Sequence, residues 1–131
     1  MITVTGLSKI FQSGDAEIRA VDNLSFQIPE GQFVAITGRS GSGKSTLLYQ
    51  LGLLDRPTHG MITVDGVEVT ALSDNDQTLM RLHTLGYIFQ DYAILPSLTA
   101  LENVMVPLLM QGVDQSVAEQ KATLALTRVG L

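Results

Sequence analysis

The chain has 131 residues, the length of one domain or of part of one, and its 45% hydrophobic and 16% charged residues are a globular composition, not a disordered or low-complexity one. Eight Lys and Arg against 13 Asp and Glu leave a formal charge of −5, which removes the counterion-release attraction behind non-specific nucleic-acid binding, so no nucleic-acid partner is expected. The lack of cysteine excludes disulfides, thiolate zinc sites and thiol nucleophiles and suits a reducing compartment, and no apolar run approaches the roughly 20 residues that cross a bilayer.

Ile2 and Val4 alternate with threonines up to Gly6, and Leu24, Phe26 and Ile28 alternate with polar residues before the turn Pro29-Glu30-Gly31. Both read as half-buried antiparallel strands. Phe33-Val34-Ala35-Ile36 is a continuous apolar run, the pattern of a strand covered on both faces in a parallel sheet, and it leads into a glycine-rich loop. Leu47, Leu48, Leu51 and Leu54 then recur at helical spacing, with an end expected near Asp55-Arg56-Pro57.

Ile62 and Val64, the turn pair Asp65-Gly66, and Val67 and Val69 predict a short β-hairpin. Ser73 with Asp76 predicts a helix start, with Leu79, Leu82 and Leu85 as its inner face, and Tyr87-Ile88-Phe89 reads as a second covered strand ending at Gln90. Thr99 with Glu102 and Ser116 with Glu119 predict two capping boxes, opening helices with apolar faces at Leu101, Val104 and Met105 and at Val117, Leu124 and Val129. Pro107 is expected to kink or end the first of them. No internal repeat is present.

The chemistry concentrates in Gly38-Arg39-Ser40-Gly41-Ser42-Gly43-Lys44-Ser45-Thr46, which fits G-x-x-x-x-G-K-[ST]. Glycines let the backbone wrap a phosphate with successive N–H groups at the positive end of the following helix. Lys44 supplies a compact charge for the β- and γ-phosphates of ATP, and the Ser45 hydroxyl can ligate Mg²⁺, which prefers oxygen donors. Gly38, Gly41 and Gly43 shape the loop, while Arg39, Ser40 and Ser42 contribute chiefly backbone N–H groups; the Arg39 guanidinium is either a phosphate ligand or a solvated side chain. A chance match in a chain of this length has a probability on the order of half a percent.

Around this loop, Leu7-Ser8-Lys9-Ile10-Phe11, Val21-Asp22-Asn23-Leu24-Ser25-Phe26, Pro29-Glu30-Gly31 and Gly86-Tyr87-Ile88-Phe89-Gln90 follow in the order found in ATP-binding subunits of ABC transporters. The chain resembles that family over its whole length. The stretch Leu95-Pro96-Ser97-Leu98-Thr99-Ala100-Leu101-Glu102-Asn103-Val104 is similar in particular to its lipoprotein-release and macrolide-export branch. The resemblance implies an α/β fold of the P-loop NTPase type: an ABC-type ATPase core with an N-terminal antiparallel β subdomain, truncated before the signature region. It implies β-subdomain strands in 1–36 and 60–70, the phosphate loop and its helix in 37–54, and the glutamine loop and the start of a helical subdomain in 86–131.

It further implies that Phe11 stacks on adenine, where an unrelated phenylalanine would simply pack in the core or at an edge. Gln90 would touch Mg²⁺ and the attacking water and relay nucleotide state to an integral membrane permease subunit facing 91–101. A second ATP-binding subunit would complete a dimer, and the location would be cytoplasmic, on the inner face of the membrane. The family's Mg²⁺-ligating aspartate, adjacent glutamate, signature and switch histidine find no match, and Asp65, followed by Gly66, reads as a turn residue. The chain is therefore expected to be the N-terminal part of a longer subunit, to bind ATP better than it hydrolyses it, and to be poorly soluble alone, with sedimentation as the check.

Two other readings use the same loop. A small-molecule kinase would need an arginine lid, and Arg19, Arg39, Arg56, Arg81 and Arg128 form no cluster. A non-catalytic nucleotide-binding or docking module would bind without turnover. His59 and His83 have no second ligand at metal spacing, and Asp74 and Asp76 read as a solvated helix start.

Overall fold

The alternating N-terminal segments form two long antiparallel strands, β1 (Ile2–Ser13) and β2 (Ala16–Ile28). The computed structural model describes residues 1–14 and 16–131 and divides into two units, Met1–Arg81 and Leu82–Leu131. In the first unit, α1 (Lys44–Leu51), β3 (His59–Val64), β4 (Val67–Glu68) and a 3₁₀ turn (Val69–Ala71) follow, then α2 (Asp74–His83), whose last two residues fall past the division. The sheet has the order β2-β1-β3-β4 and is antiparallel throughout.

Its register explains the core. Val4 lies opposite Phe26 on one side and Ile62 on the other, and Ile2 lies opposite Val64. Val4, Leu7, Ile62, Val64 and Val69 are buried, and each such aliphatic side chain contributes about 1.5–3 kcal/mol relative to exposure. The Asp65-Gly66 turn takes positive φ at both residues, 48° and 83°, which matches the right-handed strand twist and sets Val64 against Val67. The hairpin is shorter than its valines suggest, because Val69 turns into the 3₁₀ segment and is buried there.

Several expectations are corrected. No strand forms at 33–36, where Phe33 is 99% exposed, or at 87–89, where Ile88 is 97% exposed. A central parallel strand is defined by its neighbours, and the described residues provide no ladder for either segment. Instead, Val34, Ala35 and Ile36 join Phe26, Ile28 and Leu47 around an open apolar cleft of about 340 Å³. The leucine-rich helix stops at Leu51 on Gly52, so Leu54 lies beyond it, and its buried face is Leu47 with Gln50. In α2, Ser73 Oγ accepts from Asp76 N–H as predicted, but Leu79 is exposed and Gln77 is the buried residue, its Nε2 donating to Val69 O at 2.8 Å.

The second unit is centred on α3 (Ala100–Met110) and α4 (Gln115–Arg128), which pack through Met105 and the alanine pair Ala118 and Ala122. Leu101, Val104, Leu108 and Val113 surround this contact. Thr99 and Glu102 form a full capping box. The Ser116–Glu119 box does not form: α4 begins at Gln115 after Asp114, with no side-chain cap. Val117, Leu124 and Val129 are exposed, because the alanines one helical turn apart make the closer-packing face. Pro107 does not end α3, which runs on to Met110.

Candidate functional site

The segment 38–43 turns sharply onto the start of α1, with Ser42 N–H donating to Arg39 O at 3.2 Å. Gly43 caps the helix in the left-handed region, at φ 87°, and a Cβ there would lie 2.0 Å from the Ala20 carbonyl oxygen of β2. Both the backbone angle and the close approach require glycine. Among the described residues, the first amide of α1 with an acceptor is that of Leu47, which donates to Gly43 O at 2.9 Å. The N–H groups of Lys44, Ser45 and Thr46 precede it and are left at the positive end of the helix, the arrangement that binds anions.

Lys44 folds back over the loop. Its Nζ donates to Gly38 O at 3.0 Å and to Arg39 O at 2.7 Å, with Ser42 Oγ at 3.5 Å. A Cβ on Gly38 would stand 2.7 Å from Ser42 Oγ and 3.9 Å from the Lys44 side chain, so this position too is closely surrounded. Ser45, Arg39, Ser40 and Gly41 are exposed and Thr46 is partly buried. Ser42, Gly43 and Lys44 also line a cavity of about 250 Å³ with Asp22 and Thr37. A larger cleft of about 410 Å³ contains no loop residue. The guanidinium groups of its Arg56 and Arg81 are engaged by carbonyls of Thr70, Leu72 and Leu53.

Phe11 lies on β1 opposite Ile18 and is 42% exposed, with Lys9 Nζ 5.1 Å from its ring centroid. The phosphate-loop residues and Phe11 thus belong to the first unit. Gln90 belongs to the second, exposed in the irregular segment that precedes α3, where Ile88, Phe89, Tyr92 and Ile94 are also exposed. The rings of Tyr87 and Phe89 pack 4.7 Å apart. Asp65 is a turn residue with a positive φ, paired with the amino group of Met1.

The sequence pattern did not single out Lys9, Gln50 or Asn103. Lys9 bridges β1 to the segment after α1 through Asp55. Gln50 is fully buried, yet neither side-chain polar atom has a partner among the described residues. Asn103 makes four hydrogen bonds to the backbone of 95–99. A polar residue inside an apolar helical pattern was the available signal for the last two. One shifted carboxyl group is Glu102, held below the usual carboxylate range by the Thr99 backbone N–H and then by the Thr99 hydroxyl. Among the described residues no group of three or more His, Asp or Glu side chains could hold a metal ion, and no helix is long and apolar enough to cross a membrane.

The profile of the ABC transporter family matches residues 21–131. The chain is 44% identical over 123 residues to an uncharacterized ABC transporter ATP-binding protein of Thermotoga maritima, covering 94% of this chain and 53% of that one. It is 43% identical over 125 residues to the lipoprotein-releasing system ATP-binding protein LolD of Bordetella avium, covering 95% and 54%. It is also 43% identical over 131 residues to the macrolide export ATP-binding/permease protein MacB of Hyphomonas neptunium, covering 100% and 20%. A dimeric ATP-binding cassette solved in a post-hydrolysis state with ADP and Pi superimposes with a TM-score of 0.92 at 36% identity, over 97% of this chain and 56% of that one.

The chain belongs to the ABC transporter family. Its fold is that of the N-terminal part of an ABC ATPase cassette, a P-loop NTPase with an antiparallel β-sheet at its start. It spans about half the length of the LolD and Thermotoga relatives.

Proposed function

We propose that this chain is the nucleotide-binding part of an ABC transporter's ATP-binding subunit, taking Mg-ATP at 38–46 to drive a membrane permease of the lipoprotein-release or macrolide-export type. The observation that carries the reading is the loop itself: three helix-start amides without an intrahelical acceptor, flanked by an ammonium group that rests on carbonyls. Such donors suit a polyphosphate, whose charge is stabilised chiefly by preorganised N–H groups and cations.

The donor set also suits Mg²⁺. Ser45, second in α1 and exposed, would offer its hydroxyl; a Mg²⁺ role for Gln90, in the second unit, rests on the family resemblance. Bound there, the ion would neutralise charge on the β- and γ-phosphates. Lys44 would exchange the Gly38 and Arg39 carbonyls for phosphate oxygens, and Phe11 would stack on adenine. Gln90 and the exposed side chains after it would face the permease, with a second ATP-binding subunit across the nucleotide and the assembly on the cytoplasmic side of the membrane. Asp65, locked in a turn and paired with the terminal amine, is unsuited to ligate Mg²⁺ beside the loop. This chain by itself therefore binds ATP better than it hydrolyses it.

Calorimetry with Mg-ATP tests the reading. Lys44→Ala should cost about 1.5–3 kcal/mol of charge-assisted hydrogen bonding, roughly ten- to a hundredfold in affinity. Unchanged affinity would remove Lys44 from the site, and no binding by the folded parent chain would remove the function.

A further inference from the structure

Lys9 joins three groups. Its Nζ donates to Asp55 Oδ1 at 2.6 Å and to Arg56 O at 2.7 Å, and it stands 5.1 Å from the centroid of the Phe11 ring, within cation–π range. The Lys9 side chain is only 14% exposed, so solvent screens these attractions little. The anchor is not isolated: Ile10 N–H donates to Thr58 Oγ1 at 3.0 Å and Thr58 N–H donates to Ser8 O at 2.8 Å. The segment 55–58, which follows α1, is thus bonded along residues 8–10 of β1. Since α1 starts in the phosphate loop, a continuous run of bonded backbone and one ion pair connects that loop to Phe11.

We infer that Lys9, held by Asp55, is the positioning residue that fixes the Phe11 ring as a platform for the nucleobase. The inference rests on the nucleotide-binding reading above and adds to it what sets the base end of the site. The Phe11 ring stays 42% exposed beside the ammonium, which leaves surface for an adenine, and the cation contact favours a single ring orientation. Removing the cation frees the ring to rotate away, which weakens the base contact and leaves the phosphate contacts untouched.

The test measures binding of Mg-ATP and of Mg-tripolyphosphate, which has no base, to the 131-residue chain and its variants by calorimetry, with thermal unfolding recorded for each. Lys9→Met is expected to weaken ATP binding about 3- to 10-fold, the range of one cation–π contact, and to leave tripolyphosphate binding within twofold. Lys9→Arg should restore most of the loss. In a Phe11→Ala background, Lys9→Met should have no further effect on ATP. If Lys9→Met does not fold, Asp55→Asn, which keeps the ammonium and loosens its anchor, is expected to show the same selective loss.

Equal loss for ATP and tripolyphosphate, or additive effects of Lys9→Met and Phe11→Ala, would overturn the positioning role while leaving the phosphate site standing. Failure of the folded parent chain to bind either ligand would instead overturn the nucleotide reading and this inference with it.

Discussion

Asn103 grips both polar groups of Leu95: its Oδ1 accepts from Leu95 N–H at 2.7 Å and its Nδ2 donates to Leu95 O at 3.1 Å. The same Nδ2 reaches Leu98 O and Thr99 O, so one side chain in the first turn of α3 templates the loop that leads into the helix. Asn103→Ala should lower the local opening free energy of 95–99 by about 1–2 kcal/mol, seen as roughly 5- to 30-fold faster amide exchange there, with the α4 amides unaffected. Unchanged exchange at Leu95 would show that the loop holds its shape without this residue.

Gln50 offers a gain instead of a loss. Its carboxamide is buried with neither polar atom bonded among the described residues, a desolvation cost of about 1–3 kcal/mol. Gln50→Leu keeps the volume and removes the penalty, so the midpoint of thermal unfolding should rise by several degrees. A fall in stability would mean that a water or a polar partner meets the amide in solution.

Two loop glycines separate strain from collision. Gly41 has φ 78° with nothing near its missing Cβ, whereas Gly43 has φ 87° and the Ala20 carbonyl in the way. Gly41→Ala should cost about 1–2 kcal/mol from backbone strain alone. Gly43→Ala should cost more, about 2–4 kcal/mol, because β2 must also shift. Equal costs by denaturant unfolding would place no close contact between α1 and β2.

Glu102 makes the start of α3 sensitive to acid. Its carboxylate accepts from Thr99 N–H at 2.7 Å and from the Thr99 hydroxyl at 2.8 Å. These bonds hold its pKa below the ordinary value in the folded state. The ionised form is therefore the one that stabilises, fully so above the unfolded glutamate value of about 4.3 and progressively less as pH falls through the lower folded value. The ¹³C shift of the Glu102 carboxyl should titrate with a midpoint below that of a free glutamate, and Glu102→Gln should remove the acid dependence of α3 helicity. A midpoint at or above the free value would show that the box does not form in solution.

The sequence made some of these features legible and hid others for identifiable reasons. Local chemistry was readable: the Asp65-Gly66 turn, the Thr99–Glu102 box, the Ser73 start of α2 and the alternation of β1 and β2 are each set by neighbours along the chain. The apolar runs at Phe33 and Ile88 signal covered strands, but a covered parallel strand depends on partners, and none pairs with them among the described residues. The buried face of α4 is hidden in the sequence because large apolar side chains signal burial more loudly than Ala118 and Ala122, which form the packed contact. At the candidate site the phosphate loop was visible as a motif. The link from Lys9 to Asp55 spans 46 positions and left no periodic trace.

The resting position of the Lys44 ammonium, shared between Gly38 O and Arg39 O, bears on how fast the loop can be filled. A flexible lysine stem loses rotamer freedom when it is immobilised, and here much of that loss has occurred before any guest arrives. If the loop takes a polyphosphate as proposed, capture becomes a swap of oxygens around a pre-placed cation instead of a search by a swinging arm. Association should accordingly be governed by diffusion, leaving discrimination among guests to their rates of departure.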